Sequence, residues 1–238
     1  MEHEHHNEHH KNRKYHDMDE KLPEVQINIT YNYGIVTIKV RDKENNAVAL
    51  TETHEKRMHL VITSADLETF LHVHPIENAS GDFEVVLELP PGRYLAFADI
   101  NPGRMTYVIE PITITVGKVT DTPSIDWEML AERDSATKEV EGKTVTFHHP
   151  KLTAGKSAAL SFDLNGETPL PYLGALGHVV VLDEQGEKFI HVHPVSEDKP
   201  VFEAQFPSPG FYKLWVEFKF SDAGVLAFPF VMKVADRN

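Results

Sequence analysis

One histidine pattern occurs twice in this chain, and its regularity is what most restricts how the chain can fold. His59, followed by His72-Val73-His74-Pro75, returns as His178, followed by His191-Val192-His193-Pro194, with every residue 119 positions later. Phe83-Glu84 returns at the same offset as Phe202-Glu203, and Pro91-Gly92-Arg93-Tyr94 returns as Pro209-Gly210-Phe211-Tyr212 at an offset of 118. A single gap therefore aligns the two halves. Carried forward, that alignment sets Asp99, in Phe97-Ala98-Asp99, on Glu217, in Trp215-Val216-Glu217. A duplication of this period in 238 residues implies two domains of about 100 residues, each long enough to bury its own core.

The local pattern within each unit is that of short strands. Ile27, Ile29 and Tyr31 alternate with polar residues, as do Val36, Ile38 and Val40, and Gly34 separates the two runs. Met58 to Thr63 and Phe70 to His74 flank Ser64-Ala65-Asp66-Leu67-Glu68, while 177–182 and 189–193 flank Asp183-Glu184-Gln185-Gly186-Glu187, so each repeat contains a hairpin. Proline and glycine then turn the chain into Tyr94 to Asp99 and Tyr212 to Phe218. The expected fold class is all-β: two tandem immunoglobulin-like antiparallel β-sandwich domains behind a disordered, histidine-rich N-terminal tail. The divisions fall at 1–22 for the tail, 23–118 for the first sandwich, 119–137 for a linker and 138–238 for the second sandwich. Within the linker, Thr122-Pro123 ahead of Ile125 to Arg133 predicts one short helix.

Strand geometry turns the histidine spacing into a candidate site. Residues two apart in a strand share a face, so His72 and His74 project together, as do His191 and His193, with the intervening valines opposed. A hairpin turning at Asp66-Leu67 pairs residues whose numbers sum to 133, which sets His59 opposite His74. One turning at Gln185-Gly186 pairs residues summing to 371, which sets His178 opposite His193. Cross-strand Cβ atoms lie about 4.5–5.5 Å apart, close enough for three imidazoles to meet on one ion. Asp99 and Glu217 would add a fourth ligand or hold a histidine from outside. The candidate metal residues are thus His59, His72, His74 and Asp99 in one repeat, and His178, His191, His193 and Glu217 in the other. His54 has leucine (Leu173) as its counterpart and reads as a loop residue, while His148-His149-Pro150 reads as a strand end.

Composition narrows the chemistry. The absence of cysteine excludes disulfides, thiolate metal sites and thiol nucleophiles, so a metal must be held by nitrogen and oxygen. Six methionines without a Met-x-x-Met cluster argue against a dedicated copper(I) site. A formal charge of −14 with no basic cluster argues against nucleic acid as a partner. No run of residues is long and apolar enough to span a bilayer as a helix, and the start of the chain does not read as a signal peptide.

The segments Met58-His59-Leu60-Val61-Ile62, Phe70 through Pro75, and Gly92-Arg93-Tyr94 with Phe97-Ala98-Asp99 resemble bacterial YtkA-like and FixH-like immunoglobulin-type domains. The second copy, from Gly177-His178 through His191-Val192-His193-Pro194 to Glu217, is similar to the same group. The resemblance implies extracytoplasmic domains, often secreted or lipid-anchored, associated with the handling of copper or other heavy metals, and implies no established catalytic activity. The resulting expectation is a copper(II)- or zinc-binding protein with one three-histidine site per repeat, which captures, buffers or delivers metal. Its partners would be metal ions and a membrane metal transporter or metallochaperone. Two other classes fit less of the pattern: a zinc hydrolase using an open three-histidine site, and an adhesion module whose histidines are incidental.

Overall fold

The computed structural model describes residues 23–119, 124–196 and 198–237. The tail at 1–22 and Thr122-Pro123 of the linker lie outside them. The first repeat forms β1 (Gln26–Asn32), β2 (Ile35–Arg41), β3 (Met58–Ser64), β4 (Phe70–Val73), β5 (Ile76–Glu77), β6 (Phe83–Val86), β7 (Gly92–Ile100) and β8 (Ile112–Val116). A helix, α1 (Trp127–Arg133), follows, starting on Asp126, whose side chain accepts the amide of Met129 at 2.9 Å. The second repeat forms β9 (Thr137–Val140), β10 (Lys143–His148), β11 (Ser157–Asp163), β12 (His178–Asp183), β13 (Phe189–His191), β14 (His193–Pro194), β15 (Val201–Gln205), β16 (Gly210–Phe220) and β17 (Gly224–Val234).

These strands make four antiparallel sheets, two to a repeat. The first sandwich pairs β1-β2-β6-β5 with β4-β3-β7-β8, and the second pairs β14-β15-β11-β10-β9 with β13-β12-β16-β17. Alternation explains each core. Val36, Ile38 and Val40 of β2 meet Leu60 and Ile62 of β3 and Ala96 and Ala98 of β7, while Leu160 and Phe162 of β11 meet Val179 and Val181 of β12 and Leu214, Val216 and Phe218 of β16. The repeated tyrosine has a repeated task. Tyr94 Oη donates to the carbonyl of Pro90 and Tyr212 Oη to that of Ser208, both at 2.9 Å, tying strand to preceding turn.

The hairpin registers follow the expected sums, with Leu60 opposite Val73 and Val61 opposite His72 in the first repeat, and Val180 opposite His191 in the second. Where the ladders stop differs from expectation. β4 ends at Val73, so His74 lies beyond the paired residues. In the second repeat His193 is not opposite His178. The chain leaves β13 after His191, and His193 pairs with Glu203 of β15 in the other sheet. The bulk of a sandwich explains the crossing: Val192 is buried in the second core between the two short strands.

The sequence pattern did not show that the two repeats pack on each other. A third apolar cluster consists of Val61, Leu67 and Phe97 from the first repeat with Val180, Leu182 and Trp215 from the second, flanked by Phe70, Leu95, Phe189 and Trp127. Val61, Phe97, Val180, Leu182 and Trp215 are the residues that β3, β7, β12 and β16 turn away from their own cores, and Leu67 joins them from the turn after β3. The contact is pseudo-symmetric. Phe70 stacks on Trp215 with centroids 4.8 Å apart and planes at 10°, and its image under the duplication, Phe189 against Phe97, has centroids 5.5 Å apart. Reciprocal pairs of this kind define a two-fold interface, here closed within one chain. Lys213, itself buried, reaches across it to Glu68 at 2.8 Å.

Candidate metal centre

His59 and His178 lie at the starts of equivalent strands, as the second residue of β3 and the first of β12, and are fixed by equivalent turns. Before β3, Thr53 and Lys56 exchange backbone hydrogen bonds around His54 and Glu55, with φ of 51° and 62°. Before β12, Tyr172 and Ala175 do the same around Leu173 and Gly174, with φ of 51° and 77°. Two successive left-handed residues make the tight primed turn that matches strand twist. Each turn leaves a carbonyl aimed at the histidine six residues on. His59 Nε2 donates to Thr53 O and His178 Nε2 to Tyr172 O, both at 2.9 Å.

Spending the Nε2 proton on a carbonyl leaves Nδ1 of His59 as a bare lone pair. It faces His72 Nε2 at 3.1 Å and His74 Nε2 at 3.2 Å. His72 is committed in the opposite sense: its Nδ1–H donates to Glu217 Oε2 at 2.5 Å, so in the neutral ring its Nε2 is also a lone pair. A proton on His74 Nε2 would satisfy His59 but leave His59 and His72 lone pair to lone pair. The three ligand nitrogens lie within 4.8 Å of one another, and the ring centroids stand 4.8–5.3 Å apart. A tetrahedral ion with bonds of about 2.0–2.1 Å would hold its nitrogens about 3.3 Å apart. The donors present therefore fit such an ion.

The surroundings disfavour the charged forms of His59, His74 and His178. Burial holds His59 below the usual 6.5, takes His74 to about 3 and takes His178 to about 4. Neighbouring histidines push all three the same way, while the carbonyl bonds at His59 and His178 partly oppose it. Neutral imidazole is the form a metal requires.

Two of the eight expected residues, Glu217 and His178 of the second repeat, lie against histidines of the first. His59, His72 and His74 converge as expected. Asp99 is the ladder partner of His59 and Glu217 that of His178, but Glu217 contacts His72 of the other repeat. The His178 ring lies 6.2 Å from that of His72 and 6.4 Å from that of His59. A cavity of about 40 Å³ between the repeats is lined by His54, His59, His72, Asp99 and His178. His191 and His193 are placed by backbone alone, in β13 and β14. His54, expected on a loop, is half-buried in its turn, 5.6 Å from the ring of His178 and 6.1 Å from that of His59. No spacing rule marked it, because a residue two places before the end of a tight turn is positioned by the turn. His148 ends β10, as read.

The fold is thus a tandem pair of immunoglobulin-type β-sandwiches with a histidine cluster at their junction. The chain belongs to the family of a domain of unknown function, DUF8832, whose model matches residues 25–118 and again 138–236. No curated protein matches it. Among solved structures it is similar to a segment of two fibronectin type-III domains from chicken tenascin, at 15% identity over 89% of this chain and 98% of that one, with a TM-score of 0.25. It is also similar to the first two immunoglobulin domains of DIP-gamma, at 15% identity over 91% and 99% of the respective chains, with a TM-score of 0.23.

Proposed function

We propose that this protein binds a copper(II) or zinc ion through His59, His72 and His74, with a related site built on His178, His191 and His193, and that it captures, buffers or delivers the metal without catalysis. The observation that carries the reading is the pair of committed lone pairs. In the neutral form that a metal ligand must take, His59 and His72 give their outer protons to Thr53 O and Glu217, so two bare nitrogens face each other at 3.1 Å. A cation between them removes that repulsion. Imidazole donors suit zinc and copper(II) alike, with copper(II) favoured wherever it is available. The carboxylate that a hydrolase would need as a base is held against His72, which supports binding over turnover. On this reading the protein works outside the cytoplasm and exchanges metal with a membrane transporter or metallochaperone.

The test is elemental analysis together with zinc and copper(II) titration of the full chain and of a chain beginning at Pro23, which separates ions held by the fold from ions held by the six histidines of residues 1–22. The shortened chain is expected to retain tightly bound metal and His74→Ala to lose one ion. Equal metal content in the shortened chain and in its His74→Ala variant would refute the site.

A further inference from the structure

We infer that the His59, His72 and His74 site is completed by the other domain: Glu217 is the positioning residue for His72, and metal binding and domain docking form one linked equilibrium. The inference rests on the metal-binding reading and adds to it that neither sandwich holds this site alone. Glu217 sits in β16, 145 residues along the chain from His72, and each side chain is nearly inaccessible, at 7% and 4% exposure. A carboxylate buried to that degree needs a partner, because removing a charge from water uncompensated is costly. Among the described residues, the side chain it bonds is His72 of the first sandwich.

The consequence for the metal is direct. With Glu217 in place, His72 is held in the tautomer that points Nε2 at His59, and the carboxylate makes that nitrogen a better donor. Without it, the His72 ring is free to rotate and to place its proton on either nitrogen. His178 and the small cavity beside it close the same side of the cluster with atoms of the second domain. Linkage is reciprocal, so whatever factor docking adds to metal affinity, metal adds to docking. Loss of such an outer carboxylate typically costs ten- to a hundredfold in affinity. The same size of effect is expected here.

The test uses the full chain, freed of metal, and zinc as the probe, with a chromophoric chelator in competition. The ion whose binding is lost in His74→Ala is read by difference. Glu217→Gln, which keeps the side-chain volume, is expected to weaken that ion ten- to a hundredfold. Trp215→Ala, which loosens the interface without touching a ligand, is expected to weaken it as well, so the argument survives if the glutamine variant folds poorly. Two readouts separate positioning from a merely structural role. The Nδ1 proton of His72, sheltered by the carboxylate, should give a slowly exchanging resonance in the zinc form that Glu217→Gln lacks. Spin labels on Glu88→Cys and Lys156→Cys, in a chain without native cysteine, should show a narrower interdomain distance distribution with zinc than without it. Wild-type zinc affinity in Glu217→Gln and Trp215→Ala, with His74→Ala still losing the ion, overturns the linkage and leaves metal binding intact. If His74→Ala binds like the wild type, the metal reading itself fails.

Discussion

The interface between the two sandwiches can be measured without any metal, through the stack of Phe70 on Trp215. Trp215 is 2% exposed, and its ring lies parallel to that of Phe70 at 4.8 Å. Trp215→Ala removes a fully buried aromatic and is expected to cost about 3–5 kcal/mol, with undocking of the domains setting the upper limit. Phe70 is half-buried, so Phe70→Ala should cost less, about 2 kcal/mol. The informative quantity is the coupling. An aromatic pair in this geometry contributes about 0.5–1.5 kcal/mol beyond its buried area, so the double variant should be less destabilised than the two single losses predict by that amount. Urea unfolding followed by circular dichroism, with chelator present throughout, yields all four stabilities. Losses that add to within about 0.3 kcal/mol would mean the residues do not touch in solution, and the two-fold packing would be wrong.

Two further outcomes are expected. Glu55 is an exposed residue at φ 62° where the second repeat has Gly174 at 77°, so Glu55→Gly should relieve left-handed strain and raise stability by up to about 1 kcal/mol in thermal or urea unfolding; a loss of stability would count against the turn. His178 is held neutral to about pH 4 while an unfolded chain takes up that proton below 6.5. Stability of the metal-free protein should therefore fall as pH drops from 6.5 to about 4 and level off below, by at most about 3.5 kcal/mol from this group at ~1.4 kcal/mol per pH unit. His178→Gln should flatten that part of the profile, and parallel profiles for the two proteins would refute the assignment.

Much of this could be read from the chain alone. The offset of 119 determined that there are two like units, period-two alternation made them sandwiches, and the hairpin sums of 133 and 371 gave the strand registers, because each depends only on spacing along the backbone. The convergence of His59, His72 and His74 followed from the same rule. Other features needed contacts between residues far apart in sequence. The unbroken apolar runs in β3, β12 and β16 carried a signal, since a strand buried on one face would alternate, yet only the packing showed that their outer faces meet each other. The destination of His193 was set by where β13 could no longer pair, and the partner of His72 by how the second sandwich sits. Sequence spacing fixes which side chains share a face. It does not fix what that face is pressed against, because docking two preformed surfaces depends on the shape and burial of many residues at once, and it is docking that brings Glu217 to His72.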